Sequence, residues 1–118
     1  PLFTFGKRKA RYDAAVKAYD AQRFQYEKKI LQVFQEVNNA VVSYSSANEK
    51  VVLMQNLYDA ASKYVELAMF QHINGHISYM DVLDAQRELL SAQLGLNSAV
   101  CSELLSVVYL YKALGGGY

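Results

Sequence analysis

Between Lys7 and Ile73 the chain contains neither proline nor glycine, so nothing along that stretch interrupts a helix. A helix over residues 7–73 runs about 100 Å at roughly 1.5 Å per residue. Two breakers follow, Asn74-Gly75 and the run Gly115-Gly116-Gly117. They delimit a second helical segment over residues 78–114, on the order of 55 Å long. Stepping alternately by four and three residues from Tyr12 gives Val16, Tyr19, Arg23, Tyr26, Ile30 and so on to Ala68 and His72, and Arg23 and His72 are the only non-apolar members. A 3.5-residue repeat held over so many turns marks helices wound about one another in a left-handed sense.

Each segment carries a second stripe. Phe24, Leu31, Phe34, Leu53, Leu57 and Tyr64 lie beside the first seam of the long segment. In the later segment Met80, Leu83, Leu90, Leu94, Leu104 and Val108 form one seam, and Val82, Ala85, Leu89, Ala92, Leu96 and Ala99 form another. Two seams on one helix require neighbours on two sides, as in a bundle or a closed ring of helices. Gly75 suits the left-handed residue that ends a helix, and Ser78 followed by Asp81 fits a capping box that starts the next. The expected fold is therefore all-α, a long antiparallel hairpin turning over residues 74–77. The first helix outruns the second by roughly 40 Å, so its early part calls for a partner outside the hairpin or for a second copy.

Composition narrows the function classes. A formal net charge of +1, with hydrophobic residues at 53%, gives no field aimed at a polyanion. The run Lys7-Arg8-Lys9 with Arg11 could read as a nucleic-acid patch, but the near-neutral total argues against nucleic acid as a partner. Cys101 is the single cysteine, too few for a disulfide or a cysteine-based zinc cage. No stretch of 18 or more uninterrupted apolar residues exists, which excludes an ordinary transmembrane helix as the sequence is read. No phosphate-binding glycine loop, nucleophile and base pattern, or Glu-x-x-His pair is present, so no enzyme, metal or cofactor is expected. His72 and His76 stand four apart, but Gly75 between them ends the helix on which they would share a face. His72, on the seam beside the turn, is a candidate to titrate in mild acid and loosen the packing. A chain opening on Pro1 and a strand-like PLFTF reads as a piece of a longer polypeptide.

Four segments together resemble the TolC-like outer-membrane factor family, most closely its multidrug-efflux lipoprotein branch: PLFTFGKRKA, YEKKILQVFQEV over residues 26–37, SYMDVLDAQRELLSAQ over 78–93, and LYKALGGGY over 110–118. The resemblance implies the second repeat of a subunit whose helices wall a periplasmic α-barrel. Residues 1–6 would be the end of a barrel strand, 7–73 the long periplasmic helix, 74–77 the tip turn, 78–114 the return helix and 115–118 a glycine-rich terminator. By the same resemblance Asp81 and Asp84 line the channel throat, with Met80 as an apolar ring beside them. Asn74, Gly75 and His76 would meet a periplasmic adaptor that links the channel to an inner-membrane transporter. Three full-length subunits would close the tube in the outer membrane, and an isolated piece would be free to self-associate as a non-native bundle. Where the family's tip network carries a tyrosine and an arginine, this chain has His72 and Ile77, so that latch is not carried over. Asp81 also has a purely structural account as the capping-box acid, and Met80 one as a seam residue. The alternative from another class is a coiled-coil scaffold or tether that transports nothing.

Overall fold

The computed structural model describes residues 2–115. Two helices make up nearly all of it: α1, Leu2–Ile73, and α2, Tyr79–Ala113. The chain divides into two units, Pro1–Asn38 and Asn39–Tyr118.

Within Asn39–Tyr118, α2 folds back along the later half of α1. Every position of the four-and-three repeat from Ala40 to His72 is buried or half-buried. On α2 the facing set starts at Val82 and steps by three and four through Ala85, Leu89, Ala92, Leu96 and Ala99, then on through Glu103, Ser106, Leu110 and Ala113. The most buried members are small: Ala40, Ala68, Ala85, Ala92 and Ala99, together with Val82. Alanine at the contact lets two helices approach toward the short end of the roughly 8–10 Å range of interaxial distances. Nearest the turn, Ala68, Val82 and Ala85 form a cluster against which Val65 and Ile77 pack. Val82, fully buried, contributes about 1.5–3 kcal/mol by leaving water. Two polar residues, Glu103 and Ser106, occupy the α2 side of the seam, and one satisfies itself locally: the Ser106 hydroxyl donates to the Glu103 carbonyl at 2.6 Å.

The second stripes stay in solvent. Leu53, Leu57, Tyr64 and Leu67 on α1, and Leu90, Leu94 and Leu104 on α2, are all more than half exposed. Of the two seams read on α2, the alanine-rich one closes the hairpin and the leucine-rich one is left outward. By length and composition α2 would also pass for a membrane-crossing helix, with an 18-residue window of mean hydropathy 1.3. Interruption by polar residues is therefore not enough to exclude it, because the leucines and valines around Asn97 and Glu103 outweigh them in the average. The buried edge of α2, with Glu103 and Ser106 in its alanine seam, is nonetheless a protein-facing surface.

Over residues 2–38 the chain is one continuous helical stretch, and every residue there except Asp20 and Val37 is exposed. The strand expected near the start is replaced by helix, since Leu2, Phe3, Thr4 and Phe5 belong to the first turns of α1. A lone strand leaves its backbone donors and acceptors without a ladder partner, whereas a helix pairs them within its own segment. Pro1 and residues 116–118, assigned to the strand end and the terminator, lie outside the described residues. Gly115 does act as a terminator. At φ 81° it follows α2, and its amide donates to the Lys112 carbonyl at 3.0 Å.

Candidate functional site

The turn joining α1 to α2 brings together most of the residues singled out from sequence. α1 ends in a Schellman motif, in which the His76 amide donates to the Gln71 carbonyl at 2.8 Å and the Gly75 amide to the His72 carbonyl at 2.9 Å. Gly75 takes φ 78°, the left-handed conformation this ending needs. Asn74 adds a third tie, its side-chain amide donating to the Phe70 carbonyl at 2.9 Å. Asn74, Gly75 and His76 are all exposed at the apex.

α2 starts with a complete capping box. Ser78 is extended (φ −78°, ψ 161°), its hydroxyl accepts from the Asp81 amide, and the Asp81 carboxylate accepts from the Ser78 amide at 3.3 Å. The same carboxylate oxygen accepts from the Ser78 hydroxyl at 3.2 Å. Asp81 therefore serves the helix start while remaining solvent-exposed. Asp84, three residues on, lies 3.6 Å from the Arg87 guanidinium, both side chains well exposed. An ion pair so open to water holds its partners weakly, at about 0–1 kcal/mol. Met80 is 58% exposed and takes no part in the hairpin seam.

His72 and Ile77, the departures from the family's tip network, meet in another way. The His72 Nδ1 lies 3.1 Å from the Ile77 carbonyl oxygen, which can only accept, so the ring carries its proton on Nδ1. The imidazole also stacks, tilted at 50°, on Tyr79 with ring centroids 5.5 Å apart. Sequence reasoning misses Arg87 and Tyr79. Arg87 is legible as the third residue after Asp84, whereas the Tyr79 contact depends on how the turn closes. No cluster of three or more potential metal ligands exists among the described residues.

A groove of about 590 Å³ opens along one side of the hairpin. Met54, Leu57 and Tyr64 of α1 and Glu88, Ala92 and Gly95 of α2 line it. A Cβ at Gly95 would meet only the Met54 sulfur, at an ordinary contact distance of 3.5 Å.

Comparison with known proteins places this hairpin in context. The chain is 37% identical over its whole length to a solvent efflux pump outer membrane protein, SrpC, of Pseudomonas putida, of which it covers 25%. It is 38% identical over its whole length to an antibiotic efflux pump outer membrane protein, ArpC, of the same species, covering 24% of it. It is 30% identical to the cation efflux system protein CusC of Escherichia coli, again over the whole chain and 26% of the relative. The chain thus spans about a quarter of the length of these curated relatives. No solved structure matches it significantly. The outer membrane efflux protein family model matches residues 1–116, and the chain belongs to that family.

Proposed function

We propose that this chain is the helical wall and tip of one repeat of an outer-membrane efflux channel subunit, acting in the periplasm and performing no covalent chemistry. The observation that carries the reading is the division of labour between seams. The alanine seam closes the hairpin, while Leu53, Leu57, Leu90, Leu94 and Leu104 are left outward in helical register. Such stripes suit neighbouring helices on both flanks of the hairpin, the arrangement a closed tube needs. Three full-length subunits would complete the ring, and a periplasmic adaptor would engage Asn74, Gly75 and His76 on behalf of an inner-membrane transporter. A tether that carries nothing accounts for the stripes but not for the family. The relatives are named for solvents, antibiotics and cations, so choice of cargo is assigned to the transporter rather than to this hairpin.

Asp84, with Asp81 beside it and Met80 preceding both, would line the narrow entrance, where symmetry-repeated carboxylates favour cations. Asp81 can do this while capping, because its carboxylate stays exposed. The test is single-channel conductance of the full-length subunit in a planar bilayer, comparing wild type with Asp81→Asn plus Asp84→Asn, which remove charge and keep a hydrogen-bond acceptor at the cap. Cation selectivity that falls in the double variant supports the acid-lined entrance. Selectivity that stays unchanged leaves Asp81 to helix capping alone, and an absence of conductance in the wild type removes the channel reading.

A further inference from the structure

The two helix ends at the tip are each closed from their own side. On the α1 side the amides of Asn74, Gly75 and His76 donate back to the carbonyls of Phe70, His72 and Gln71. On the α2 side Ser78 and Asp81 satisfy one another. Both sets of bonds are local, and neither fixes how α2 leaves the turn. Among the described residues a single hydrogen bond joins the two sets, the one from His72 Nδ1 to the Ile77 carbonyl at 3.1 Å. The same imidazole lies on Tyr79, the first residue of α2, with ring centroids 5.5 Å apart. One side chain thus grips the chain on both sides of the cap residue Ser78. The apolar contact beneath is made by small groups, Ala68, Val82 and Ala85, with Val65 and Ile77 packed against them. Side chains so short interlock shallowly with a neighbouring helix, and they set the separation of α1 and α2 more firmly than the path of the first turn of α2.

We infer that His72 is a positioning residue for the channel entrance: by holding Ile77 and Tyr79 it fixes the path of the first turn of α2, and hence the place of Met80, Asp81 and Asp84. The inference rests on the reading of those three residues as the entrance lining. Met80 and Asp81 directly follow Tyr79, and Asp84 lies about 7.5 Å further along the axis, within about two helical turns of the grip. Among the described residues the Asp81 carboxylate bonds only within its own cap, and Asp84 pairs only with Arg87 at 3.6 Å. Neither acid therefore has a tie of its own to α1. The pull of a charge on a passing ion depends on their separation, so a shift on the order of an ångström in this turn changes what the acids do without removing them. Every group in the brace belongs to one hairpin. It forms without a neighbouring helix, and an entrance built on it moves each tip as one piece.

The experiment has two arms. In the first, the 118-residue chain carrying Cys101→Ser is spin-labelled at Asn56 and Met80, both exposed, and the distance between the labels is measured by pulsed double electron resonance. A narrow distribution is expected with His72 in place, a broader one with His72→Ala, and a narrow one again with His72→Asn, whose amide nitrogen can stand in for Nδ1. In the second arm, the full-length subunit in a planar bilayer is compared with His72→Ala and His72→Asn, each with and without Asp81→Asn plus Asp84→Asn. His72→Ala should lower the preference for cations over anions about twofold or more while the acids are present, and change nothing further once they are replaced. His72→Asn should restore the preference. A residue that served stability alone would leave selectivity unmoved in conducting channels, and that result overturns the inference, as does an unbroadened distance distribution. A rise in conductance with selectivity kept also overturns it, because a latch between neighbouring hairpins behaves that way. If replacing the two acids changes nothing, the entrance reading falls and the role of His72 there falls with it, whereas an effect of the acids without an effect of His72→Ala removes the positioning role alone.

Discussion

His72 donates from Nδ1 to the carbonyl oxygen of Ile77 at 3.1 Å, tying the last turn of α1 to the residue that precedes the cap of α2. The bond crosses the apex of the hairpin, and the imidazole covers Tyr79 on the far side. Replacing His72 by alanine removes both contacts and leaves the half-buried carbonyl without its donor. The expected loss is about 1–2 kcal/mol, read as a lower urea midpoint of the chain. His72→Phe, which keeps the ring contact but not the donor, should recover only part of that loss.

Ser78 and Asp81 satisfy one another, so their contributions should not add. Either Ser78→Ala or Asp81→Ala is expected to cost about 1 kcal/mol, and the double variant little more than one of them alone. A double-mutant cycle in urea measures this coupling directly. Fully additive losses would mean that the box is not a unit.

Packing along the hairpin predicts opposite outcomes at two small residues. A methyl group at Gly95 meets only the Met54 sulfur at an ordinary contact distance of 3.5 Å, so Gly95→Ala should stabilise by about 0.5–1 kcal/mol through helix propensity. Ala85, 1% exposed on the closed seam, has no such room. Ala85→Leu should cost about 1–3 kcal/mol, and thermal unfolding of the two variants distinguishes them by sign.

At Gly75 the backbone itself is the constraint. Its φ is 78°, and a Cβ added there would have no atom within 4 Å, so the penalty for a side chain is conformational and not steric crowding. Gly75→Ala is expected to cost about 1–2 kcal/mol, and Gly75→Asn less, because asparagine visits the left-handed region more readily. Equal losses in a denaturant titration would contradict that account.

The hairpin is legible in the sequence because its signals are local. A 3.5-residue repeat survives wherever helices pack, and Asn74-Gly75 and Ser78 with Asp81 announce the turn without reference to anything distant. Apolar periodicity does not distinguish which of the two α2 seams closes the hairpin, since both are apolar. The deciding feature is side-chain size: Ala85, Ala92 and Ala99 recur every seven residues and face Ala40, Ala47, Ala61 and Ala68, which recur at multiples of seven. Glu103 and Ser106 escape the pattern because a search for apolar periodicity skips polar members of a seam. The strand at the start fails for a different reason. PLFTF has strand composition, but strand pairing is a property of neighbours, and none is present among the described residues. At the tip, spacing places Asp81 and Asp84 correctly at the start of α2, while the His72 and Tyr79 contact depends on the path of the turn and leaves no mark in the spacing.

A hairpin zipped by alanines has consequences for how such a protein is made. Alanine removes little oily surface from water when it is buried, so the hairpin closes mainly by shape, while the larger apolar surface of Leu53, Leu57, Leu90, Leu94 and Leu104 stays in solvent. Anything that covers those leucines therefore adds more burial than the hairpin gains by closing, and under the proposed arrangement stability becomes a function of concentration.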